Sequence, residues 1–297
     1  MSRAQQDPIY QQIDDVKQAV SDVLAHAKKL GATASEAAMS STSGLSVSTR
    51  MGEVDTIEFN QDGGLGISVY VGNHKGSAST ADLSPKALRS VVEKAIDIAK
   101  FTSDDPCNGV ADEQLLEMSP PDLDLYHPWD VSPEQGIEFC LEAEKAALEF
   151  DPRIVNSDGA SFASHQGLRV YGNSHGLVAG FPRTRHTLST MVIGQDGEHM
   201  QRDSAYTISR EQGGLKGASL VGVEAAESTL AKLNSQKIKT MKTPVVFRAD
   251  IANSLFGHLV SAIGGGALYR KSTFLLDSLH TQVFNPCVSI IERPHLL

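Results

Sequence analysis

Residues 54–71 read Val-Asp-Thr-Ile-Glu-Phe-Asn-Gln-Asp-Gly-Gly-Leu-Gly-Ile-Ser-Val-Tyr-Val, and their pattern decides the fold. Apolar and polar residues alternate on both sides of Asp62-Gly63-Gly64, as in strands that bury one face. Similar short stretches lie near 35–40, 44–50 and 77–81, with turn signals at Gly52 and Gly72-Asn73. The spacing predicts an antiparallel meander with a turn at each glycine signal.

A helix is predicted on each side of this meander. The first has apolar residues at three- and four-residue steps from Ile9 to Leu30 and stops at Gly31. The second has Ser84 as its N-cap and Pro85 at its first helical position. Helix, meander and helix predict an α+β domain over residues 1–101, with its helices on one face of the sheet.

The composition changes sharply after this domain. Residues 101–144 contain no Lys or Arg and hold five of the twelve prolines. We interpret residues 102–131 as an acidic, proline-rich linker. A cation site is the alternative, but the acidic residues lack the regular spacing of a calcium-binding loop.

A second α+β domain is predicted over residues 132–236. A capping box of Ser132 and Gln135 starts its helix, and a helix follows near 219–233. Strands are predicted between them over 153–209, with turns at Asp158-Gly159, Gly172-Asn173, Gly180 to Pro182 and Asp196-Gly197. Residues 237–297 open with a predicted strand at 245–247 and a helix over 250–263, with another strand near 288. These 61 residues are few for a domain, so we expect the incomplete start of a β-rich C-terminal domain, cut at Leu297. The overall class is α+β, with antiparallel sheets and flanking helices in the two N-terminal domains.

Charge and cysteine content limit the function classes. The 297 residues carry 26 Lys plus Arg and 36 Asp plus Glu, for a formal net charge of −10. An acidic chain is poorly suited to non-specific nucleic-acid binding, although residues 237–297 are basic and leave an anionic partner as an alternative to solvated surface. We expect no membrane span, because no run of 18 apolar residues occurs. A polar N-terminus and three scattered cysteines (Cys107, Cys140 and Cys287) favour the cytoplasm.

Two motifs suggest catalysis only weakly. Gly172-Asn173-Ser174-His175-Gly176 fits a nucleophile pattern, but that chemistry needs a helix after the serine, and both flanks are predicted strands. We interpret it as a hairpin turn. His258 lies in the predicted helix 250–263, where a zinc peptidase would place a second histidine one turn away. Ala262 and Ile263 stand there instead, so His258 is interpreted as a packed or partner-facing residue.

Four segments together resemble the TldD/PmbA family, and within it the PmbA (TldE) branch. They are Asp62 to Tyr70, Gly76 to Thr80, Arg169 to Gly176 and Ile263 to Leu275. The resemblance covers nearly the whole chain in the order of the three predicted domains. It implies a cytoplasmic metallopeptidase of two homologous subunits that matures a microcin precursor and degrades an unstructured antitoxin.

The resemblance also implies which subunit this chain is. The sister subunit carries the zinc motif His-Glu-x-x-x-His, and the matching positions here are Gly257, His258 and Ala262. We therefore expect no cofactor and no catalytic residue in this chain, with zinc in the TldD-like sister. The expected partners are that sister and an unstructured peptide, or a second copy when the chain is isolated, without nucleic acid or membrane. The alternative is a regulatory binding protein, a modulator of DNA gyrase without peptidase activity.

Overall fold

The structure, a computed structural model, describes residues 7–296 except the side chain of Asp250. The polar N-terminal residues 1–6 and Leu297, where the expected cut lies, are outside the described residues. The chain divides into two units, one extending to Ser235 and the other spanning Gln236–Leu296.

The first unit consists of six strands and four α-helices. They follow in the order α1 (Pro8–Lys29), β1 (Ala34–Arg50), β2 (Glu53–Val71), β3 (His74–Thr80), α2 (Pro85–Phe101), α3 (Pro133–Leu148), β4 (Ile154–Asn173), β5 (Val178–Asp196), β6 (His199–Ser209) and α4 (Ala218–Lys232). The strands form one sheet in the order β3-β2-β1-β4-β5-β6, with antiparallel neighbours throughout. The predicted antiparallel α+β class is confirmed.

The pairing of β1 with β4 joins the strands of the two predicted N-terminal domains in a single sheet. The ladder runs from Glu36 opposite Asn173 to Thr49 opposite Ala160. Between α2 and α3, the predicted linker contains one short 3-10 helix, Glu113–Leu115. Part of it packs on the sheet, because Trp129 and Val131 contact the apolar core under α3 and α4.

The helices cover one face of the sheet and bury two apolar clusters. Helices α1 and α2 pack over β3, β2 and part of β1 and β4, burying side chains such as Val20, Val69 and Val92. Helices α3 and α4 pack over the other end of β1 and over β4 to β6, around Phe162 and Val192. The apolar stripes follow the 3.6-residue helical period, which explains why each helix has one buried side. We call the opposite sheet face the helix-free face of the first unit.

Several predicted glycine turns lie inside strands. Asp62-Gly63-Gly64 continues β2, opposite Thr42, Ser41 and Ser40 of β1. Gly180 to Pro182 lies within β5, and Asp158-Gly159 lies at an irregularity in the pairing of β4 with β5. These turn predictions are wrong because a neighbouring strand supplies hydrogen bonds throughout, and tertiary pairing outweighs local turn preference.

The other local signals are confirmed. Hairpin turns separate β4 from β5 directly after the predicted Gly172-Asn173, and β5 from β6 at the predicted Gly197. Ser84 caps α2 and the Ser132–Gln135 capping box starts α3. Caps of this kind satisfy backbone N–H groups that lack partners in the first helical turn.

A buried carboxylate holds the β1–β2 turn. Glu144 of α3 is buried, and its two oxygens accept hydrogen bonds from the backbone N–H groups of Met51 at 2.8 Å and Gly52 at 2.9 Å. Both turn residues have positive φ angles. A buried charge is tolerated only when hydrogen bonds compensate its lost hydration, and these two bonds connect α3 to the end of the sheet.

The second unit contains helices α5 (Ala249–Ile263) and α6 (Gly265–Tyr269). Within its described residues no strand is assigned, so the strands predicted at 245–247 and near 288 are wrong. Val246 is 94% exposed, and no neighbouring strand in this unit is available to pair with it. A single extended segment without a paired strand is not stable as β-structure.

No helix in the described range 7–296 has both the length and the apolarity needed to cross a bilayer.

Gly167 of β4 tests the tight β1–β4 contact. A Cβ atom there would lie 2.4 Å from the Ser41 carbonyl oxygen, whereas one at Gly66 of β2 would meet nothing within 4 Å. We expect Gly167→Ala to lower the free energy of unfolding by about 1–3 kcal/mol because backbone must shift. Gly66→Ala is the control and should be neutral or stabilising in thermal or urea unfolding. Equal effects of the two substitutions would contradict this interpretation.

Limited proteolysis tests the difference between the two units. Several large apolar side chains of the second unit are exposed, and Ala262 is the buried apolar residue identified among its described residues. We expect a protease to cut first beyond residue 240 and to leave a resistant fragment of the first unit, because sparse burial gives low local stability. Mass spectrometry identifies the fragments. Equal protection of both units would show that residues 236–296 are better packed than their exposure indicates.

Candidate functional site

Helix α5 carries the three degenerate motif positions identified in the sequence. Gly257 and His258 are exposed, whereas Ala262 is buried. Residues four apart share a helix face, so a second ligand beside His258 would stand at position 262, where the methyl group of alanine cannot bind a metal. The helix therefore presents one imidazole and no paired ligand at these positions.

The described residues do not fit a zinc ion. Protein zinc sites use three or four Cys, His or carboxylate ligands, and within residues 7–296 no group of three such side chains is close enough to hold a metal. Cys140 of α3 is buried, and burial raises the pKa of its thiol to about 12. That thiol stays protonated near neutral pH and is a packing residue.

The Gly172–Gly176 motif forms the β4–β5 turn, as predicted. The Ser174 hydroxyl accepts a hydrogen bond from the Ser35 backbone N–H at 3.1 Å, and the Ser174 N–H donates to the Ser35 carbonyl at 2.8 Å. The turn is closed at Gly176, which has a φ of 94°. These bonds attach the turn to the start of β1, and β5 follows in place of the helix that a nucleophile elbow requires.

Sequence reasoning missed a buried Ser–His pair between the two apolar clusters. Ser164 of β4 and His186 of β5 are both buried, and their Oγ and Nδ1 atoms lie 2.9 Å apart. The Nε2 atom of His186 lies 3.3 Å from the His127 carbonyl oxygen. A carbonyl only accepts, so Nε2 carries the proton and Nδ1 accepts from the serine hydroxyl. Trp129 packs edge-on against the imidazole, with ring centroids 5.3 Å apart.

This pair attaches the linker to the sheet. His127 also donates its backbone N–H to the Thr184 hydroxyl at 2.9 Å, and Leu125 accepts from the Thr184 N–H at 2.9 Å. Burial lowers the pKa of His186 below its ordinary value of 6.5, so the neutral imidazole persists near pH 7. Among the described residues, no carboxylate hydrogen-bonds His186 to orient it for nucleophilic catalysis. The arrangement fits a structural role beside a cavity of about 510 Å³.

A second polar cluster lies on the helix-free face. The carboxylate of Glu36 accepts hydrogen bonds from the phenols of Tyr70 at 3.2 Å and Tyr171 at 3.0 Å. Burial, followed by the nearby Glu36, raises the pKa of Tyr70 to about 12. Both phenols therefore remain donors near neutral pH. Arg169 contributes to the same cavity of about 490 Å³.

These clusters had only a faint signal in the sequence. Ser164 and His186 occupy inward positions of their alternating strands, where apolar residues are expected. Glu36, Tyr70 and Tyr171 come from three strands whose register is not readable from local pattern. A polar residue at a predicted core position was the one available sign.

Three segments of the chain match successive domains of one protein family. Residues 35–99 match PmbA/TldA metallopeptidase domain 1, residues 126–233 match the PmbA/TldA metallopeptidase central domain, and residues 240–297 match the PmbA/TldA metallopeptidase C-terminal domain.

Two curated relatives align with most of the chain. Metalloprotease PmbA of Escherichia coli O157:H7 is 54% identical over 274 residues, which are 92% of this chain and 60% of the relative. The Metalloprotease PmbA homolog of Haemophilus influenzae is 49% identical over 286 residues, which are 96% of this chain and 63% of the relative. The chain therefore spans somewhat over half the length of these relatives.

Solved structures agree with the fold. A candidate modulator of DNA gyrase from Bacteroides thetaiotaomicron superposes with a TM-score of 0.82 at 27% identity, covering 91% of this chain and 62% of that one. TldE from Thermococcus kodakarensis superposes with a TM-score of 0.61 at 18% identity, covering 87% of this chain and 58% of that one. The second likeness shows the fold alone.

The buried His186 predicts a stability that depends on pH. Because its pKa is lowered in the folded state, the unfolded chain takes up the proton more readily, and stability falls as the pH drops below about 6.5. We expect the urea midpoint of the unsubstituted chain to fall more between pH 7.5 and 5.5 than that of His186→Gln. The exposed His199 gives the control, since His199→Gln should keep the steep dependence. Equal pH dependence in the unsubstituted chain and His186→Gln would contradict this explanation.

Proposed function

The chain belongs to the PmbA/TldD metallopeptidase family, and on that premise we propose that it is the zinc-free partner subunit of a two-subunit peptidase. In this proposal a homologous TldD-like subunit supplies the zinc site. The substrates are unstructured peptides, such as a microcin precursor or an antitoxin. The chain itself contributes binding surface and no catalytic residue.

The observation that carries the proposal is the chemistry of α5. A peptidase scaffold requires metal ligands and a general base on this helix, as in other helical zinc sites. Gly257 and Ala262 offer no side-chain metal ligand, and His258 is exposed without a second ligand one turn away. A second subunit that carries the ligands would restore the activity indicated by the name of the relatives.

The first unit suits a binding role. Its sheet is stabilised across its width by paired strands, and its buried Ser164–His186 and Glu144 contacts fix the linker and the β1–β2 turn. Such a frame can present a peptide to a partner subunit with little loss of conformational entropy. We also propose a cytoplasmic location, supported by the free cysteines Cys107, Cys140 and Cys287.

A second candidate function is the regulation of DNA gyrase by direct binding. It is favoured by the names of two similar structures, candidate modulators of DNA gyrase from Bacteroides thetaiotaomicron and Thermotoga maritima. The chain would then act as a protein-binding regulator. Its net charge of −10 favours contact with the enzyme over contact with DNA.

Metal analysis and reconstitution test the first proposal. We expect the dialysed chain to contain well under one zinc per molecule, and His258→Ala to leave that content unchanged. Mixing the chain with its TldD-like sister should raise cleavage of an unstructured peptide at least tenfold over either subunit alone. His258→Ala should reconstitute as well as the unsubstituted chain, because His258 has no catalytic role.

Two outcomes would contradict the proposal. Stoichiometric zinc that is lost in His258→Ala would make this residue a metal ligand. Retention of gyrase in place of the sister in affinity purification, with no stimulation of cleavage, would favour the regulatory function.

A further inference from the structure

A group of basic side chains lies on the helix-free face of β4 to β6. Pro182, Thr184 and His186 of β5 are buried toward the helices, so the alternating Arg183 and Arg185 lie on the opposite face and are exposed. On β4, Arg169 and His165 also lie on that face, and His165 is directly opposite Arg185. Arg210 follows the end of β6 and lines the same cavity as Arg183 and Arg185.

The arginines of this group are not neutralised by ion pairs. Among the described residues, no ion pair involves Arg169, Arg183, Arg185 or Arg210. In contrast, Arg202 on the same face lies 3.2 Å from a carboxylate oxygen of Asp158. Like charges held close together disfavour the folded state unless a counter-charge is present.

Acidic side chains near this group do not line the cavity beside the arginines. Asp62 lies on the same face, opposite Thr42 in the neighbouring strand, and one of its oxygens accepts from the Gly63 N–H at 2.8 Å. Asp124 of the linker lies 3.6 Å from the Nε2 atom of His127, which hydrogen-bonds the Asp124 carbonyl. The cavity beside the arginines has a volume of about 730 Å³, and no acidic residue lines it. This cavity is of the size of ordinary ligand sites.

The local geometry supports a cationic pocket with room for an occupant. Gly167 lies opposite Arg183 on β4 and has no side chain that could contact that guanidinium. Burial lowers the pKa of His165, and the positive charge of Arg185 on the neighbouring strand adds to this effect. Guanidinium groups bind carboxylates in paired, two-point contacts.

From this arrangement we propose that Arg183, Arg185 and Arg210 form a docking site for an acidic, extended peptide segment. Arg183 and Arg185 are two residues apart on one strand, hence separated by about 7 Å. Carboxylates on alternate residues of an extended peptide repeat at the same interval. Arg210 extends the row beyond the edge of β5, so the pocket engages more than one carboxylate.

The peptide binds through its side chains and not as an added strand. Pro182 lies in the part of β5 beyond the end of β6 and has no N–H to donate, and the N–H of Thr184 already bonds Leu125. The choice of a peptide rests on the proposed function, whereas the cationic pocket does not.

Fluorescence anisotropy with labelled hexaglutamate tests the site in the chain by itself. We expect 1:1 binding that weakens with added salt, and no binding of labelled hexaglutamine. Arg183→Ala/Arg185→Ala should weaken binding at least tenfold. The matched control is Arg202→Ala/Lys86→Ala, which removes two positive charges outside the pocket and should change affinity less than twofold.

The conservative variant Arg183→Lys/Arg185→Lys keeps the charge and the fold but removes the two-point contacts, and we expect an intermediate loss of affinity. Equal losses in the alanine variant and its control would overturn the proposal, as would no detectable hexaglutamate binding. Tighter binding of an octathymidylate through the same two arginines would also overturn it in favour of a nucleic acid. This binding measurement uses the chain without the sister subunit. A failure to reconstitute cleavage would therefore count against the proposed function and leave the result of the binding measurement unchanged.

Discussion

The β1–β4 ladder is the interaction on which the rest of the first unit depends. It joins the β-hairpins of the two halves of the chain in one sheet, from the Glu36–Asn173 pair to the Ala160–Thr49 pair. Without it each half would expose a strand edge and one side of its apolar core. Gly44 and Gly167 lie in this ladder because backbone of the adjacent strand approaches too closely for a side chain.

The ladder also determines where buried polar groups can lie. Ser164 lies between the two groups of buried apolar residues on β4 and meets His186 only because β5 pairs in one register. Glu144 reaches the β1–β2 turn only because α3 packs across β1 as well as β4. In both cases hydrogen bonds offset the desolvation of a polar group, and the unit gains a defined position for its linker and its turn.

The two faces of the sheet have different chemical characters. The helix-covered face contains the apolar clusters and the neutral Ser164–His186 pair. The helix-free face carries the Glu36–tyrosine cluster and the unpaired arginines. A peptidase subunit without metal ligands would contribute through binding, and the helix-free face with its arginines is a surface suited to binding. Gly257 and Ala262 offer no side-chain metal ligand, and the cationic row on β5 offers a surface for binding; both agree with the proposed function.

Local sequence by itself determined helices α1 to α5, the caps at Ser84 and Ser132, the strand alternation, and the lack of metal ligands at Gly257 and Ala262 beside His258. These features depend only on residues close in sequence. The helices follow the 3.6-residue period and the strands the two-residue period of their apolar residues, and metal binding depends on the atoms of each side chain. Tertiary structure alone decided that Asp62-Gly63-Gly64 continues a strand, that residues 245–247 do not form one, and that the linker docks through His127. It also decided which strands are neighbours, so that Glu36 contacts Tyr70 and Tyr171 and Arg185 lies opposite His165. The physical reason is that strand pairing satisfies backbone hydrogen bonds between distant segments, and its register cannot be read from either segment alone.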